Sequence, residues 1–293
     1  QEFEVGNPVS RLYNIKVNEG TKVILGVYDR NGENIVTVFS YDRSGMLYLL
    51  IALFAIIVVI IGGVKGIKSL VSLVFTLVCC VYLMLPLMLK GINPILAGII
   101  MAVLSISVTL LLVSGLNKKT LTAILGTVSG VIIAGIIAYI FGNLTHLSGI
   151  TMDDAESLMY IAEDTGLKIR GIMFTGILVA SLGAVMDVAM SISSSIFEIY
   201  SVNNKATFKE LFKSAMNIGK DIIGTMTNTL ILAFAGGSLS VLILIYSSNM
   251  PYNKLINLDV LGIELVQGLA GSIGIVLAVP ITAVIGSYLC KRK

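Results

Sequence analysis

Seven stretches of this chain, at residues 46–64, 69–89, 93–116, 120–141, 171–199, 221–247 and 261–289, are long and apolar enough to cross a lipid bilayer. A spanning helix needs about 20 predominantly apolar residues. In hydrocarbon each backbone N–H and C=O must find its partner within the protein, so apolar runs of this length read as helices. Composition agrees, because only 13% of the 293 residues are charged and 56% are hydrophobic, whereas a soluble domain carries about 25% charge. The fold class expected is an all-α polytopic membrane protein with seven transmembrane helices over residues 46–293. Breaks at residues 65–68, 90–94 and 117–119 mark helical hairpins. The fifth and seventh stretches exceed the bilayer thickness and are expected to tilt or project beyond it.

Residues 1–45 differ in kind. The β-branched runs KVILGVYD and NIVTVFSY flank Arg30-Asn31-Gly32, and Asn-Gly between such runs is a strong hairpin signal. A small N-terminal extracytoplasmic β module is expected. The chain opens at Gln1 rather than Met, so the module is expected to be the end of a larger domain that follows an upstream anchor helix.

Several function classes are poorly supported. Three Cys make no disulfide framework, and a net charge of +3 spread among apolar residues offers nucleic acid no basic face. There is no HExxH or CxxC pattern and one His, His146, so no metal site and no cofactor are expected. Nucleophile elbows and phosphate loops are absent too. Cys79 and Cys80 read as packing residues. The chain is expected not to be an enzyme. One enzymatic alternative is an intramembrane aspartyl protease pairing Asp187 with Asp221, since such chemistry needs two carboxylates sharing a proton; Asp221 sits in IGKD near the interface, which argues against it.

Lys and Arg near helix ends set the orientation. With the β module outside, inner loops hold Lys65, Lys68, Lys118, Lys119, Lys205, Lys209, Lys213, Lys220, Lys291, Arg292 and Lys293, and outer loops hold only Lys90, Lys168, Arg170 and Lys254. The N-terminus is therefore expected outside the bacterial cytoplasmic membrane and the C-terminus within the cytoplasm. The 142–170 loop, which carries Asp153, Asp154, Glu156, Glu163 and Asp164, is expected to form an amphipathic helix outside. In the 202–219 segment Phe208, Leu211, Phe212 and Met216 share a face opposite lysines, which predicts a basic amphipathic helix on the cytoplasmic surface.

A charged group inside a spanning helix costs roughly 2.5 kcal/mol or more, so each instance points to function. Asp187 lies deep in the fifth stretch. At about 100° per residue it shares a face, within about 60°, with Ser191, Ser194 and Glu198. Gly183, Ala180 and Gly176 continue that face backwards. The sixth stretch places Asp221, Thr225 and Asn228 in one stripe, with Gly224 and Thr229 beside it, and its run GTMTNT is very polar for a spanning segment; the seventh supplies Glu264, Gln267, Gly268, Gly271 and Ser272. Three successive helices of this kind are expected to pack around a shared polar core. Gly176, Gly183, Gly268 and Gly271 would let backbones approach. Ser and Thr hydroxyls are candidates both for interhelical glue and for a pathway; for Asp187 a proton- or cation-exchanging role is the stronger reading, because Asn would serve as glue without the ionisation penalty.

The run GAVMDVAMSISSSIFE from Gly183 onward, followed by GKDIIGTMTNTLILAFAGGSLSVL and GSIGIVLAVPITA, with GGVKGIKSLVSL and LKGINPI upstream, resembles the YibE/F family of bacterial multi-spanning membrane proteins. The resemblance covers residues from about 40 to the end. It brings no established activity, and transport is the usual guess for the family. Residues 183–245 are also similar to RND and SecDF transporters, whose mid-membrane helix carries a G-x-x-x-D…E pattern before a Thr-rich helix. That likeness implies a protonatable Asp coupled to an extracytoplasmic domain.

Together these readings predict a proton- or cation-coupled membrane transporter or energy transducer. Asp187, Ser191, Ser194, Glu198, Asp221, Thr225, Thr227, Asn228 and Gln267 would form its H+ or Na+ pathway. The alternative is a non-transporting scaffold or accessory subunit that docks a partner. The lipid bilayer is the expected surrounding, and a partner subunit or a second copy is a candidate neighbour.

Overall fold

A computed structural model describes residue 5 and residues 15–30, 33–149 and 155–291. The chain divides into two compact units, Gln1–Ile67 and Lys68–Lys293. In the first, β1 (Val23–Arg30) and β2 (Glu33–Tyr41) form an antiparallel hairpin in which Val27 pairs with Val36 and Leu25 with Val38. The Asn31-Gly32 turn lies outside the described residues, as do Asp153 and Asp154. The Tyr41 hydroxyl donates to the Lys16 carbonyl at 2.8 Å. Asp42 then accepts hydrogen bonds from the Ser44 amide and hydroxyl, where α1 (Ser44–Cys79) begins. The two bonds from Ser44 hold the Asp42 carboxyl below the usual carboxylate range.

The break in α1 falls at Gly63, with φ 54° and ψ −135°. Residues 65–68, where the sequence suggests an interruption, are helical. Lysine is a good helix former and glycine is the residue that reaches positive φ freely, so the break sits on the glycine and not on the charges. A straight helix holds residues eight apart roughly 12 Å from each other. Here a Cβ on Gly66 would strike the carbonyl oxygen of Val58, so the backbone folds back sharply and admits only glycine at the contact.

In the second unit a π-helical turn, Cys80–Met84, precedes α2 (Leu85–Leu89). Pro86 has no N–H to donate one turn back, and the wider turn absorbs the gap. Next come α3 (Pro94–Ser114), whose first amides are capped by Asn93 at 3.0 Å, and α4 (Lys118–Leu144), capped by Asn117 at 2.7 Å. The 142–170 connection contains a short helix, α5 (Ala155–Thr165), in which Glu156 occupies the first turn. The sequence continues with α6 (Ile169–Val202), α7 (Phe208–Gly237), α8 (Leu239–Ser247), α9 (Tyr252–Leu255) and α10 (Asp259–Lys291). Among the described residues five helical stretches are long and apolar enough to span a membrane, or six if the pair α7 and α8, bent by 65°, counts as one span. Ser44–Leu89 counts as one of the five across its internal break.

A further boundary expectation changes. The 202–219 segment is not a separate surface helix: from Phe208 it forms the opening turns of α7, started by a capping box in which Thr207 and Glu210 satisfy each other's backbone amides. Its lysines Lys209, Lys213 and Lys220 stay exposed, but Leu211 and Ala215 are fully buried in the core. Of the apolar face read for a membrane surface, Leu211 is buried in the helix bundle and Phe212 and Met216 are half-buried against it, while Phe208 stays exposed.

The bundle centres on α4, α6 and α10. Small residues set its tightness. Gly130 and Gly274 lie against each other's carbonyl oxygens, at 3.1 and 2.9 Å from where their Cβ atoms would stand, with Ala134, Val185 and Ala278 around them. Gly126 faces Thr282, Gly142 faces Phe174, and Gly98 faces Thr175. Close approach of this kind is how membrane helices gain van der Waals contact when lipid offers no hydrophobic drive between them.

Candidate functional site

Helix α6 has two unlike faces. Leu178, Ser181, Val185, Ile192, Ser193 and Ile196 are buried. Ser193 donates to the Lys119 carbonyl at the start of α4, at 2.7 Å. The opposite face carries Gly176, Ala180, Gly183, Asp187, Ser191 and Glu198, all exposed, with Ser194 half-buried. Ile169 lies about 27 Å along the axis from Asp187 in one direction and Val202 about 22 Å in the other, at 1.5 Å per residue. The carboxylate is therefore mid-helix, and among the described residues it has no hydrogen-bond or ion-pair partner.

Two packing layers fix the depth of α6 against α7 and α10. A Cβ on Gly219 would meet Val279 and come within 3.3 Å of Ile192. One on Gly271 would lie 2.9 Å from Leu230 and 3.4 Å from Ser181. Because α6 and α7 run antiparallel, counting from either layer puts Asp187 level with Gly224, Ser191 with Lys220, Ser194 with Asn217 and Glu198 with Lys213. On α7, Asp221, Gly224, Thr225, Asn228 and Thr229 are exposed and Thr227 is half-buried.

The expected shared polar core is therefore corrected. Helices α6, α7 and α10 do meet, but through Ile192, Gly219, Val279, Leu230 and the small residues Ser181 and Gly271. Asp187, Glu198 and Asp221 remain exposed, because burying uncompensated carboxylates in a dry interface costs far more than packing small and aliphatic groups there. Of the glycines singled out for packing, Gly268 and Gly271 are buried beside Phe234 and Leu230, and nothing stands within 4 Å of a Cβ on Gly183. Gly176 is exposed, with the Gln267 amide nitrogen at 4.0 Å from its Cβ position.

The hydroxyls of α7 have a defined polarity. Thr225 donates to the Ile222 carbonyl at 3.0 Å, Thr227 to Ile223 at 2.6 Å and Thr229 to Thr225 at 2.9 Å. Their protons are engaged by their own helix, which leaves oxygen lone pairs as the free function. Such oxygens can accept hydrogen bonds or ligate a cation and have little left to offer an anion.

Elsewhere in the bundle Arg170 donates to the Gly142 carbonyl at 2.9 Å and covers the Phe174 ring at 5.9 Å, so it ties the end of α4 to the start of α6. The hydroxyls of Thr282 and Ser287 are buried with no hydrogen-bond partner among the described residues. His146 is exposed at φ 55° in the turn after α4. No group of three or more His, Cys, Asp or Glu able to hold a metal exists among the described residues.

One feature escaped the sequence reading. Helix α7 ends at Gly237 and α8 leaves at 65°, and a cavity of about 340 Å³ opens beside the break, lined in part by Ser238, Ser240, Glu264 and Gln267. Gly236-Gly237-Ser238 is the available signal, since paired glycines interrupt a spanning helix, but it is diluted by the apolar residues of 221–247.

The family described as YibE/F-like protein matches residues 50–292. No curated protein and no solved structure matches.

Proposed function

The chain belongs to the YibE/F-like family of membrane proteins, and from that premise we propose that it moves protons or monovalent cations across the membrane, with Asp187 as the central exchanging group. The observation that carries the reading is an unpartnered carboxylate midway along a spanning helix, on a face lined by glycine, alanine and serine that the described residues of this chain leave uncovered. Lipid is a poor neighbour for such a group, which must be neutral, hydrated or paired with a cation. Ser191 and Ser194 extend its face. Thr225, Thr227 and Asn228 of α7 supply oxygens at neighbouring depth, Asp221 and Glu198 lie toward the lysine-rich end, and Gln267 lies toward the other.

Seven crossings, with the N-terminal module outside and the C-terminus inside, fit this reading. A straight Ser44–Leu89 rod would be about 69 Å long at 1.5 Å per residue, more than twice the roughly 30 Å hydrocarbon thickness. None of the residues in its most apolar window is buried. Two crossings joined near Gly63 keep that surface in lipid, and the fold-back of Gly66 onto Val58 favours them.

The test is flux in proteoliposomes, followed with a pH-sensitive dye and with labelled Na+. Wild type should carry one of these ions and Asp187→Asn should lose at least about 90% of the rate, in line with removal of an obligatory titrating group. Equal rates in both would remove Asp187 from the mechanism, and no flux in either would remove transport. A second reading, a partner-docking scaffold, draws on the exposed Val27, Tyr28 and Phe39 of the hairpin, at 58%, 55% and 64% accessibility. Those side chains offer a partner an apolar surface.

A further inference from the structure

The break between α7 and α8 creates two cavities that share one carboxylate. The larger, of about 340 Å³, has a mixed lining that includes Gly237, Ser240 and Gln267. The smaller, of about 170 Å³, is aliphatic apart from its shared wall, with Ile231, Leu242 and Leu265 among its lining. Phe234, Ser238, Val241 and Glu264 belong to both. Glu264 thus stands where a polar chamber meets an apolar one.

The charge at this junction is uncompensated. No Lys or Arg lines either cavity, and Glu264 has no hydrogen bond or ion pair among the described residues. The C-terminus of α7 brings partial negative charge and the N-terminus of α8 partial positive charge, so the two helix ends roughly offset each other and Glu264 sets the sign. A bare metal ion is a poor match. It needs a shell of several oxygens, whereas the two linings offer one carboxylate, Glu264, with only Gln267, Ser238 and Ser240 as further polar side chains among mostly apolar ones. Larger ligands are bound by mostly apolar pockets with a few placed polar groups.

We propose that this cleft binds a monovalent organic cation carrying an apolar body, with the charge against Glu264 and Gln267 and the apolar part in the chamber beyond Phe234 and Val241. An amine-bearing lipid and a free amphiphilic cation share this chemistry. The cleft shares Gln267 with the proposed ion pathway but not Asp187, and binding here is measured without flux, so a failure of one leaves the other standing.

The probe is radiolabelled tetraphenylphosphonium, added to the purified full chain in dodecyl maltoside micelles and followed by equilibrium dialysis. Saturable binding is expected. Glu264→Gln should weaken it about tenfold or more, because the paired charge is lost. Val241→Trp fills the shared wall without touching the charge and should weaken it comparably, while Leu244→Trp, on an exposed position of α8 outside both linings, should not. Competition by phosphatidylethanolamine but not phosphatidylglycerol would support the site with lipid as the source of the cation, and no competition by either would support it with a free amphiphile. Unsaturable binding, or equal affinity in wild type, Glu264→Gln and Val241→Trp, would overturn the proposal. So would displacement by millimolar Na+ matching that by unlabelled probe, since it would make this an inorganic cation site.

Discussion

The two faces of α6 belong to one helix and follow opposite rules. On the buried face, Val185, Ile192 and Ile196 fill the space against α4, α7 and α10, glycines bring backbones together, and Ser193 spends its hydroxyl on a neighbouring helix. On the open face, nothing stands within 4 Å of a Cβ on Gly183, and among the described residues the Asp187 carboxylate has no partner and the Ser191 hydroxyl makes no hydrogen bond. The same residue types, glycine and serine, therefore act as packing elements on one side and as an unfilled polar track on the other. What distinguishes them is the neighbour that each faces.

The largest expected separation between the faces comes from adding volume. Gly274→Val pushes a side chain into Ala134 and the Gly130 carbonyl, and backbone cannot yield as a flexible side chain can. A loss of roughly 3 kcal/mol is expected, seen as a lower melting temperature in detergent and less monodisperse protein. Gly183→Val on the open face should leave melting nearly unchanged, and a large loss there would erase the distinction. Function should invert the order, with Asp187→Asn abolishing flux while melting stays near wild type.

Removing a hydroxyl gives a smaller contrast. Ser193→Ala deletes the bond to the Lys119 carbonyl and should cost about 1 kcal/mol, whereas Ser191→Ala should stay within about 0.5 kcal/mol on thermal melting. Equal costs would mean that Ser191 is packed against something in the membrane. The smallest effect belongs to Asp42, an exposed residue of the first unit. Ser44 lowers its folded-state pKa, so its contribution to stability is present above the ordinary carboxylate pKa and fades as pH falls through the lowered value. An NMR titration should show Ser44→Ala raising the Asp42 midpoint toward the ordinary range. A shift in the other direction would contradict the assigned cause.

Much of this was legible in the sequence. The polar stripe through Asp187 follows from 100° periodicity alone, and the hairpin strands follow from alternating β-branched runs beside Asn31-Gly32. Periodicity identifies residues that share a face but not what the face meets, which is why a shared polar core was expected where Ile192, Gly219 and Val279 stand. Charge also misled at two places. Lys65 and Lys68 suggested a break that Gly63 makes. The lysines of 202–219 suggested a surface helix, although Leu211, Ala215 and Gly219 continue one buried stripe into α7. At Gly236-Gly237 the opposite happened, and strong mean apolarity hid a helix end.

The central claim is that the open face of α6 meets water and ions while its other face is dry. Ser191 and Ser193 are two residues apart and sit on the two faces. The decisive measurement replaces each in turn by Cys, in a background with Cys79, Cys80 and Cys290 changed to Ala, and scores reaction with a charged, membrane-impermeant thiol reagent in intact membranes. The account predicts rapid labelling of Ser191→Cys, none of Ser193→Cys, and protection at Ser191→Cys by the transported ion. Labelling of Ser193→Cys, or an inert Ser191→Cys in folded protein, would contradict it.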